Sequence, residues 1–135
     1  MQREDVKAFK NQLRNYSYNL SRIVTLNNSI EFLYERLGGI RGIDPSKEPL
    51  HTMPNKDLEY KIRDDISKLE TILRHVEDEI RLVDEILDRM DYDIRTAVKM
   101  VYIQGRMVKN VADKFHLSSS GLAKRMDKAI EKAIK

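Results

Sequence analysis

The sequence predicts an all-α fold, a long antiparallel helical hairpin resembling a coiled coil, followed by a C-terminal module of short helices. Apolar residues recur at steps of three and four along two long stretches, which is the spacing of one helix face. Residues 38–57, which hold all three prolines, separate the two stretches. Charged residues make up 35% of the chain and aromatic residues 7%. This composition favours thin helical cores over a β-sandwich.

The first helix is predicted over residues 2–37. The apolar seam has one missing position, which is occupied by Asn27. An asparagine in such a seam can fix register or oligomeric state at some cost in stability, and an ordinary asparagine at the edge of a core is an equally good interpretation. The seam consists of Val6, Phe9, Leu13, Tyr16, Leu20, Ile23, Ile30, Tyr34 and Leu37.

Residues 38–57 are predicted to form a linker. Gly38 and Gly39 should end the first helix, and the three prolines oppose a second long helix within the segment. Connections of this length without secondary structure are usually functional or flexible. Residues 1–90 are therefore predicted to form the helical hairpin and oligomerisation region, interrupted by this linker.

The second long helix is predicted over residues 56–90. Its seam alternates without a gap through Ile62, Ile66, Leu69, Leu73, Val76, Ile80, Val83, Leu87 and Met90. Its outer face places an acid four residues before an arginine, as in Glu70/Arg74, Glu77/Arg81 and Glu85/Arg89. Such pairs contribute about 0.2–0.5 kcal/mol each on an exposed helix. Neighbouring carboxylates on this helix are expected to be a solvated surface and not a catalytic pair.

Additional apolar positions widen both stripes beyond the narrow strip that two helices bury. They are Val24, Leu26, Leu33, Ile72 and Ile86. We expect a second chain to cover them, which would give a homodimer with a four-helix support. The alternative is that they pack against the C-terminal module or the linker.

The C-terminal module is predicted over residues 91–135. Its first helix should end at Gly105, because glycine readily takes the left-handed conformation that closes a helix. Its second helix should start after Met107 without the usual serine or threonine cap. The inward side chains of these two helices are Ile94, Val98, Val101, Tyr102, Val108, Val111, Ala112 and Phe115.

The third helix of the module should begin after Ser118, whose hydroxyl can accept a hydrogen bond from an amide two or three residues on. Leu122, Met126 and Ile130 recur at steps of four and should be buried. Other residues then turn away from the core, namely Ser119, Ser120, Ala123, Lys124 and Arg125. In a helix-turn-helix, the N-terminal residues of the second helix enter the major groove of DNA. The pattern predicts such a motif here.

The distribution of charge favours the same interpretation. Residues 1–94 carry 15 basic and 19 acidic side chains, whereas residues 95–135 carry 10 basic and 3 acidic ones. A basic module behind an acidic body is typical of nucleic-acid binders. A solubilising tail on a helical protein would show the same imbalance.

The order of residues in the module resembles region 4 of bacterial sigma factors and the related regulators that share its helix-turn-helix. The resemblance rests on Tyr102, Gly105, Val111-Ala112, Phe115, Leu117-Ser118 and Ala129-Ile130. Together with the long helices and the Pro/Gly linker, the layout is similar to the small phage late-gene activators of the RinA and ArpU kind. The resemblance implies DNA binding that controls phage transcription, with host RNA polymerase as a candidate partner.

The candidate DNA contacts follow from this resemblance and from the helix faces. Ser119, Ser120 and Lys124 would face the groove, and basic side chains nearby would contact phosphates. The phosphate candidates are Lys109, Lys114, Ser118, Arg125 and Lys128. Gly121 and Ala123 occupy positions where region 4 often has long polar side chains, so direct reading of bases should be sparse.

Two other functions fit the same layout. One is a DNA-packaging factor similar to a small terminase subunit, and the other is an adaptor whose module binds RNA polymerase. An enzyme, a cofactor and a metal site are not expected, because the sequence lacks a phosphate loop, a nucleophile constellation and a ligand cluster. The sequence has no cysteine, no signal-like start and no run near the ~20 apolar residues of a membrane helix. We expect a location in the bacterial host cytoplasm.

Overall fold

The computed structural model describes residues 3–41 and 56–135, with the side chains of residues 40 and 41 excepted. Every regular element in these residues is helical, which confirms the all-α class. The elements are α1 (Glu4–Arg14), α2 (Tyr16–Arg41), α3 (Lys56–Asp88), α4 (Tyr92–Val98), a π-helical turn (Lys99–Ile103), α5 (Val108–Lys114) and α6 (Ser119–Ala133).

The chain divides into two compact units. The first unit contains Met1–Leu20 and Asp78–Lys135, and the second contains Ser21–Glu77. Helix α1 therefore belongs to the same unit as the C-terminal helices, a grouping that the sequence analysis did not predict.

The first long helix is interrupted, and the prediction of one helix over residues 2–37 was wrong in this respect. Helix α1 ends at Arg14 and is followed by Asn15, whose backbone N–H donates to the carbonyls of Asn11 and Leu13. Asparagine has a low helix propensity, and its side chain competes with the backbone for hydrogen bonds. Helix α2 starts at the next residue and continues through Gly38 and Gly39, which do not end it as predicted.

The break coincides with a shift of the buried stripe by one residue, so part of the predicted seam was also wrong. Asn19 is 5% exposed, while Leu20 is 44% exposed. Asn27 and Tyr34 are exposed as well, so neither lies in a seam. The amide of Asn19 donates to the carboxylate of Glu79 at 3.0 Å. Asn19 is therefore a polar residue of the buried stripe, and its hydrogen bond offsets the cost of burying an amide.

Helix α3 follows its prediction closely, ending at Asp88 where residue 90 was expected. The predicted ion pairs on its surface differ. Arg81 pairs with Asp78 at 2.8 Å, and Arg89 donates to the carbonyl of Ala133 at 2.7 Å. Glu70 accepts a hydrogen bond from Tyr34 at 3.1 Å. The carboxylates of α3 thus also serve contacts between helices. Most of the predicted linker, residues 42–55, lies outside the described residues.

Hydrogen bonds and apolar contacts join α2 and α3 in both units. In the first unit, the hydroxyl of Tyr16 donates to Asp84 at 2.8 Å. Burial and this carboxylate raise the pKa of Tyr16 to about 12. In the second unit, four buried side chains form the core, namely Ile30, Leu37, Ile62 and Ile66. Hydrogen bonds in the first unit and an apolar core in the second therefore hold these helices together.

The five additional apolar residues that the sequence analysis identified differ in their exposure. Val24 and Ile72 are exposed, at 60% and 39%, and Leu26 and Leu33 are half-buried. Ile86 is buried in a core that it shares with the C-terminal helices, which agrees for this residue with the alternative of packing against the C-terminal module.

None of the helices in residues 3–41 and 56–135 combines the length and the apolar character that a membrane span needs.

Candidate nucleic-acid interface

The first unit has one continuous apolar core, to which α1, α3, α4, α5 and α6 all contribute. Helix α1 supplies Val6, Phe9 and Leu13, and α3 supplies Val83, Ile86 and Leu87. The C-terminal helices supply Ala97, Val98, Val111, Ala112, Leu122, Met126, Ile130 and Ala133. Helices α4 and α5 are too short to be stable in isolation, so packing against this core stabilises them.

Helix α6 is fixed in rotation by three side chains. Leu122, Met126 and Ile130 are at most 1% exposed, which confirms that this predicted row is buried. A second row of residues recurs at the same step of four and is offset from the first by two positions. At 3.6 residues per turn, this offset is about 200°, which is the opposite face of the helix. The second row is Ser120, Lys124 and Lys128, all exposed, and we call it the cationic face.

The start of α6 is capped as predicted. The Ser118 hydroxyl accepts a hydrogen bond from the backbone N–H of Gly121 at 3.0 Å. A Cβ on Gly121 would lie 2.9 Å from this oxygen, closer than such contacts normally are. Gly121 therefore provides the space in which the cap forms. A serine cap typically stabilises a helix by about 1 kcal/mol.

A tight turn connects α5 to α6. The backbone N–H of Leu117 donates to the carbonyl of Ala112 at 2.9 Å, and that of His116 donates to Asp113 at 3.3 Å. His116 has a φ of 57°. These bonds and this left-handed residue form a Schellman motif, in which glycine is the usual residue at the left-handed position. The left-handed conformation of His116 fixes the direction in which α6 leaves the turn.

His116→Gly should raise the free energy of unfolding by about 0.5–1 kcal/mol, because glycine adopts this conformation without the clash that a Cβ makes. His116→Val should lower it by about 1 kcal/mol or more, since a β-branched residue tolerates a positive φ least. Urea unfolding of the three proteins would measure both changes. A destabilised glycine variant would contradict this account and would show that the imidazole itself makes a stabilising contact.

The turn before α5 also follows the prediction. Gly105 has a φ of 71°, and α5 begins after Met107 without a side-chain cap. Between α4 and Gly105 the backbone forms a π-helical turn, in which the N–H of Gln104 reaches the carbonyl of Lys99 at 3.0 Å. The spacing of apolar residues did not predict this widened turn. It carries Tyr102, which is half-buried against the core.

Lys10 connects α1 to the C-terminal helices. Its ammonium pairs with the carboxylate of Asp127 on α6 at 2.7 Å and lies 5.5 Å from the centre of the Tyr102 ring. The guanidinium of Arg14 lies 5.6 Å from the same ring. The side chain of Lys10 is only 8% exposed and that of Asp127 37%. The Lys10 cation is therefore held beside α6 by an ion pair and by a cation–π contact.

All eight candidate DNA contacts are exposed: Lys109, Lys114, Ser118, Ser119, Ser120, Lys124, Arg125 and Lys128. The Ser118 oxygen already serves the cap of α6. Across residues 3–41 and 56–135, the five basic candidates form no ion pair within the chain. Lys109 and Lys114 lie on α5, and the others lie at or after the start of α6.

Arg125 and Lys128 also border a groove between α6 and the start of α4. The groove has a volume of about 620 Å³. Its apolar lining includes Ile94, Phe115 and Leu117, which are half-buried, and Lys132 extends its basic rim. The sequence analysis did not predict this groove, because its walls come from separate helices.

Sequence reasoning also missed the pair formed by Lys10 and Asp127. A signal was present, because Lys10 lies four residues after Val6 and three before Leu13, on the inner flank of α1. Lysine at such a position usually extends its ammonium into solvent, so the pattern alone does not reveal a buried pair.

The described residues contain no group of three or more acidic or histidine side chains that could hold a metal ion. Comparison of the chain with protein-family models, with curated proteins and with solved structures gave no match.

Proposed function

We propose that this protein is a DNA-binding transcription regulator of phage type, which binds duplex DNA with α6. The observation that carries the proposal is the division of α6 into two opposite faces. Leu122, Met126 and Ile130 are buried, and Ser120, Lys124 and Lys128 are exposed about 200° away. A helix anchored on one face and basic on the other has the form of a recognition helix.

The connection between α5 and α6 supports a helix-turn-helix. Helix α5 is held by buried Val111 and Ala112, the turn is set by His116, and Ser118 caps the next helix. The small side chain of Ala112 suits a position where two helix backbones come close. In this proposal α5 crosses the DNA backbone with Lys109 and Lys114 near phosphates, and α6 enters the major groove.

The two long helices fit the proposed resemblance to RinA- and ArpU-like activators. Within the first unit, Tyr16 hydrogen-bonds to Asp84 and Asn19 hydrogen-bonds to Glu79. From the first pair to the second, the residue number increases on α2 and decreases on α3. Antiparallel helices make contacts in this order. We propose that α2 and α3 form a helical hairpin that supports the helix-turn-helix.

The composition of the cationic face indicates how DNA would be recognised. Two lysines contribute charge and one serine can accept or donate a hydrogen bond. Gly121 offers no side chain to a base, and Ala123 is half-buried. Phosphate contacts should therefore supply most of the affinity, while base reading should depend on few side chains.

The proposal is tested with Lys124→Ala and Lys128→Ala. Each variant should weaken binding to duplex DNA by about tenfold, the effect of losing one charge-assisted hydrogen bond. Lys128→Ala should weaken all sequences equally and reduce the salt slope by about one, as expected for one lost phosphate contact. Lys124→Ala should also reduce the preference between sequences. Fluorescence anisotropy across a salt series measures these effects.

Lys61→Ala is the matched control, because Lys61 is also an exposed lysine and lies on α3. It removes the same charge from a helix that the proposal keeps away from DNA, so its affinity should stay within about twofold of the wild type. Equal losses for Lys61→Ala and Lys124→Ala would mean that DNA attraction depends on net charge alone. Unchanged DNA affinity in all three variants would show that α6 does not contact DNA through Lys124 and Lys128.

The groove beside α6 favours a second candidate function, a module that docks on another protein. Its half-buried apolar lining and its basic rim suit an amphipathic acidic segment, and host RNA polymerase is the candidate that the resemblance supplies. Leu117→Glu should abolish such docking and leave DNA affinity at the cationic face within a few-fold. Co-purification with polymerase and DNA anisotropy on the same variant distinguish the two functions.

A further inference from the structure

We propose that the groove between α6 and the start of α4 binds a small amphipathic organic acid, and that this ligand lowers the affinity of the protein for DNA. The ligand has an apolar body and a single carboxylate, as in a medium-chain fatty acid. This occupant differs from the protein segment of the second candidate function. The effect on DNA rests on the proposed function, whereas the ligand site itself does not.

The groove has the size and the fixed walls of a small-molecule site. Its volume of about 620 Å³ lies within the range of about 300–1,000 Å³ that is usual for such sites. Leu122 on the α6 wall and Ala97 on the α4 wall are each 1% exposed, so both walls are anchored in the core. The guanidinium of Arg89 donates to the carbonyl of Ala133 at 2.7 Å and joins the ends of α3 and α6 beside the groove. A ligand would therefore meet a preformed surface.

The apolar lining of the groove is concave and incompletely covered. Ile94 lies on α4, Phe115 directly follows α5, and Leu117 lies in the turn before α6. All three side chains are half-buried, so part of their apolar surface remains in contact with water. An apolar body that entered the groove would remove this surface from water, which is favourable. The lining therefore selects for an apolar ligand.

The α6 wall adds a binding site for an anion. Arg125, Lys128 and Lys132 border the groove and recur at steps of three and four, so they form one stripe of the helix. All three are exposed, and none forms an ion pair within the part of the chain that the structure describes. A guanidinium can hold a carboxylate with two parallel hydrogen bonds, and an ammonium adds a further donor. The stripe therefore selects for a carboxylate at one end of the ligand.

The opposite wall limits how much negative charge the ligand can carry. Asp91 and Asp93 border the groove at the start of α4, and both are exposed. A docked acidic helix is about 10–12 Å wide with its side chains and would bring acids towards both walls. A small acid can place its only charge on the α6 wall. The distribution of charge therefore favours a ligand with one carboxylate over an acidic polypeptide segment.

The position of two cations connects this site to DNA binding. Arg125 and Lys128 border the groove and are also candidates for phosphate contacts, whereas Lys132 borders the groove only. A bound carboxylate would neutralise the charge that these two side chains offer to phosphates. Ligand and DNA should therefore weaken each other's binding, and by the same factor, because coupling between two binding equilibria is reciprocal.

Isothermal titration calorimetry of the full chain with decanoate, below its micelle concentration, tests the ligand site. Decan-1-ol has the same apolar body without the charge, and acetate has the carboxylate without the apolar body. Each should bind at least about tenfold more weakly than decanoate, because each loses one of the two contributions. Equal affinities for decanoate and decan-1-ol, or no binding of decanoate, would overturn the proposal.

Lys132→Ala and Lys124→Ala locate the site, because each removes one exposed lysine from α6. Lys132→Ala should weaken decanoate binding by about tenfold and leave DNA affinity within about twofold of the wild type. Lys124→Ala should weaken DNA binding and leave decanoate affinity within about twofold, because Lys124 does not border the groove. Circular dichroism should show unchanged helicity in both. Equal losses of decanoate affinity in the two variants would overturn the placement in the groove.

Fluorescence anisotropy with duplex DNA at low salt tests the coupling. Saturating decanoate should lower DNA affinity by about tenfold, similar to the loss expected for Lys128→Ala. Saturating DNA should raise the dissociation constant of decanoate by the same factor. DNA affinity that decanoate does not change would overturn the coupling. A protein that binds decanoate through Lys132 but binds no duplex DNA would overturn the proposed function and support the ligand site.

Discussion

Met126→Ala should lower the free energy of unfolding by about 2–5 kcal/mol, the largest effect expected of any single substitution considered for this chain. Met126 is 0% exposed and belongs to the core of the first unit. The truncation removes buried apolar surface and leaves a cavity that the surrounding helices fill only in part. Alanine has the higher helix propensity, so a loss of stability must come from packing and not from the helix itself.

Urea unfolding followed by circular dichroism measures this effect. Met126→Leu, which nearly conserves volume, should cost less than about 1.5 kcal/mol. Arg125→Ala on the same helix should change stability by no more than about 0.5 kcal/mol, because Arg125 is exposed. A loss in Met126→Ala no larger than that in Arg125→Ala would mean that α6 is not anchored by this row. The cationic face would then have no fixed direction.

Lys10→Met should have the second largest effect, a loss of about 1–3 kcal/mol. Methionine keeps the apolar part of the side chain, so the packing of α1 is preserved. What is lost is the ion pair with Asp127 at 2.7 Å and the cation near the Tyr102 ring. Breaking a fully buried pair costs more, but Asp127 is 37% exposed and water screens part of its charge.

A double-mutant cycle with Asp127→Asn isolates the energy of this ion pair. The combined variant should be more stable than the sum of the two single losses implies, since each single variant sets one charged member of the pair against a neutral replacement and the combined variant does not. Additive losses, within about 0.3 kcal/mol, would mean that the two groups do not interact.

The same variants should change DNA binding in a way that stability alone does not explain. Lys10→Met removes the ammonium that pairs with the Asp127 carboxylate on α6, and this carboxylate lies one residue before Lys128. DNA affinity should fall several-fold at low salt and recover in the combined variant with Asp127→Asn. If the DNA affinity of the three variants changed only in proportion to their free energy of unfolding, Lys10 would have a structural role only.

The parts of the fold that depend on local spacing could be predicted from the sequence. The buried row of Leu122, Met126 and Ile130, the serine cap and the turn at Gly105 all follow from periodicity and from the conformations open to single residues. These features lie within a few residues of one another, so no distant part of the chain is needed to specify them.

The parts that the sequence did not specify depend on one-residue shifts and on contacts between distant segments. Around the break at Asn15 the buried position moves from Leu20 to Asn19, a rotation that periodicity alone cannot predict. The contact of α1 with α6 joins residues more than a hundred positions apart. Lys10 on its own has the pattern of an ordinary surface lysine, and only the position of Asp127 explains its burial.

The central claim, that α6 binds duplex DNA with its cationic face, is tested most directly by NMR titration of the full chain with duplex DNA. We expect the largest amide chemical-shift changes at residues 118–128, with smaller changes around Lys109 and Lys114. The amide shifts of residues 21–37 and 56–77 should remain unchanged. An absence of shifts, or shifts confined to those helices of the second unit, would contradict the claim.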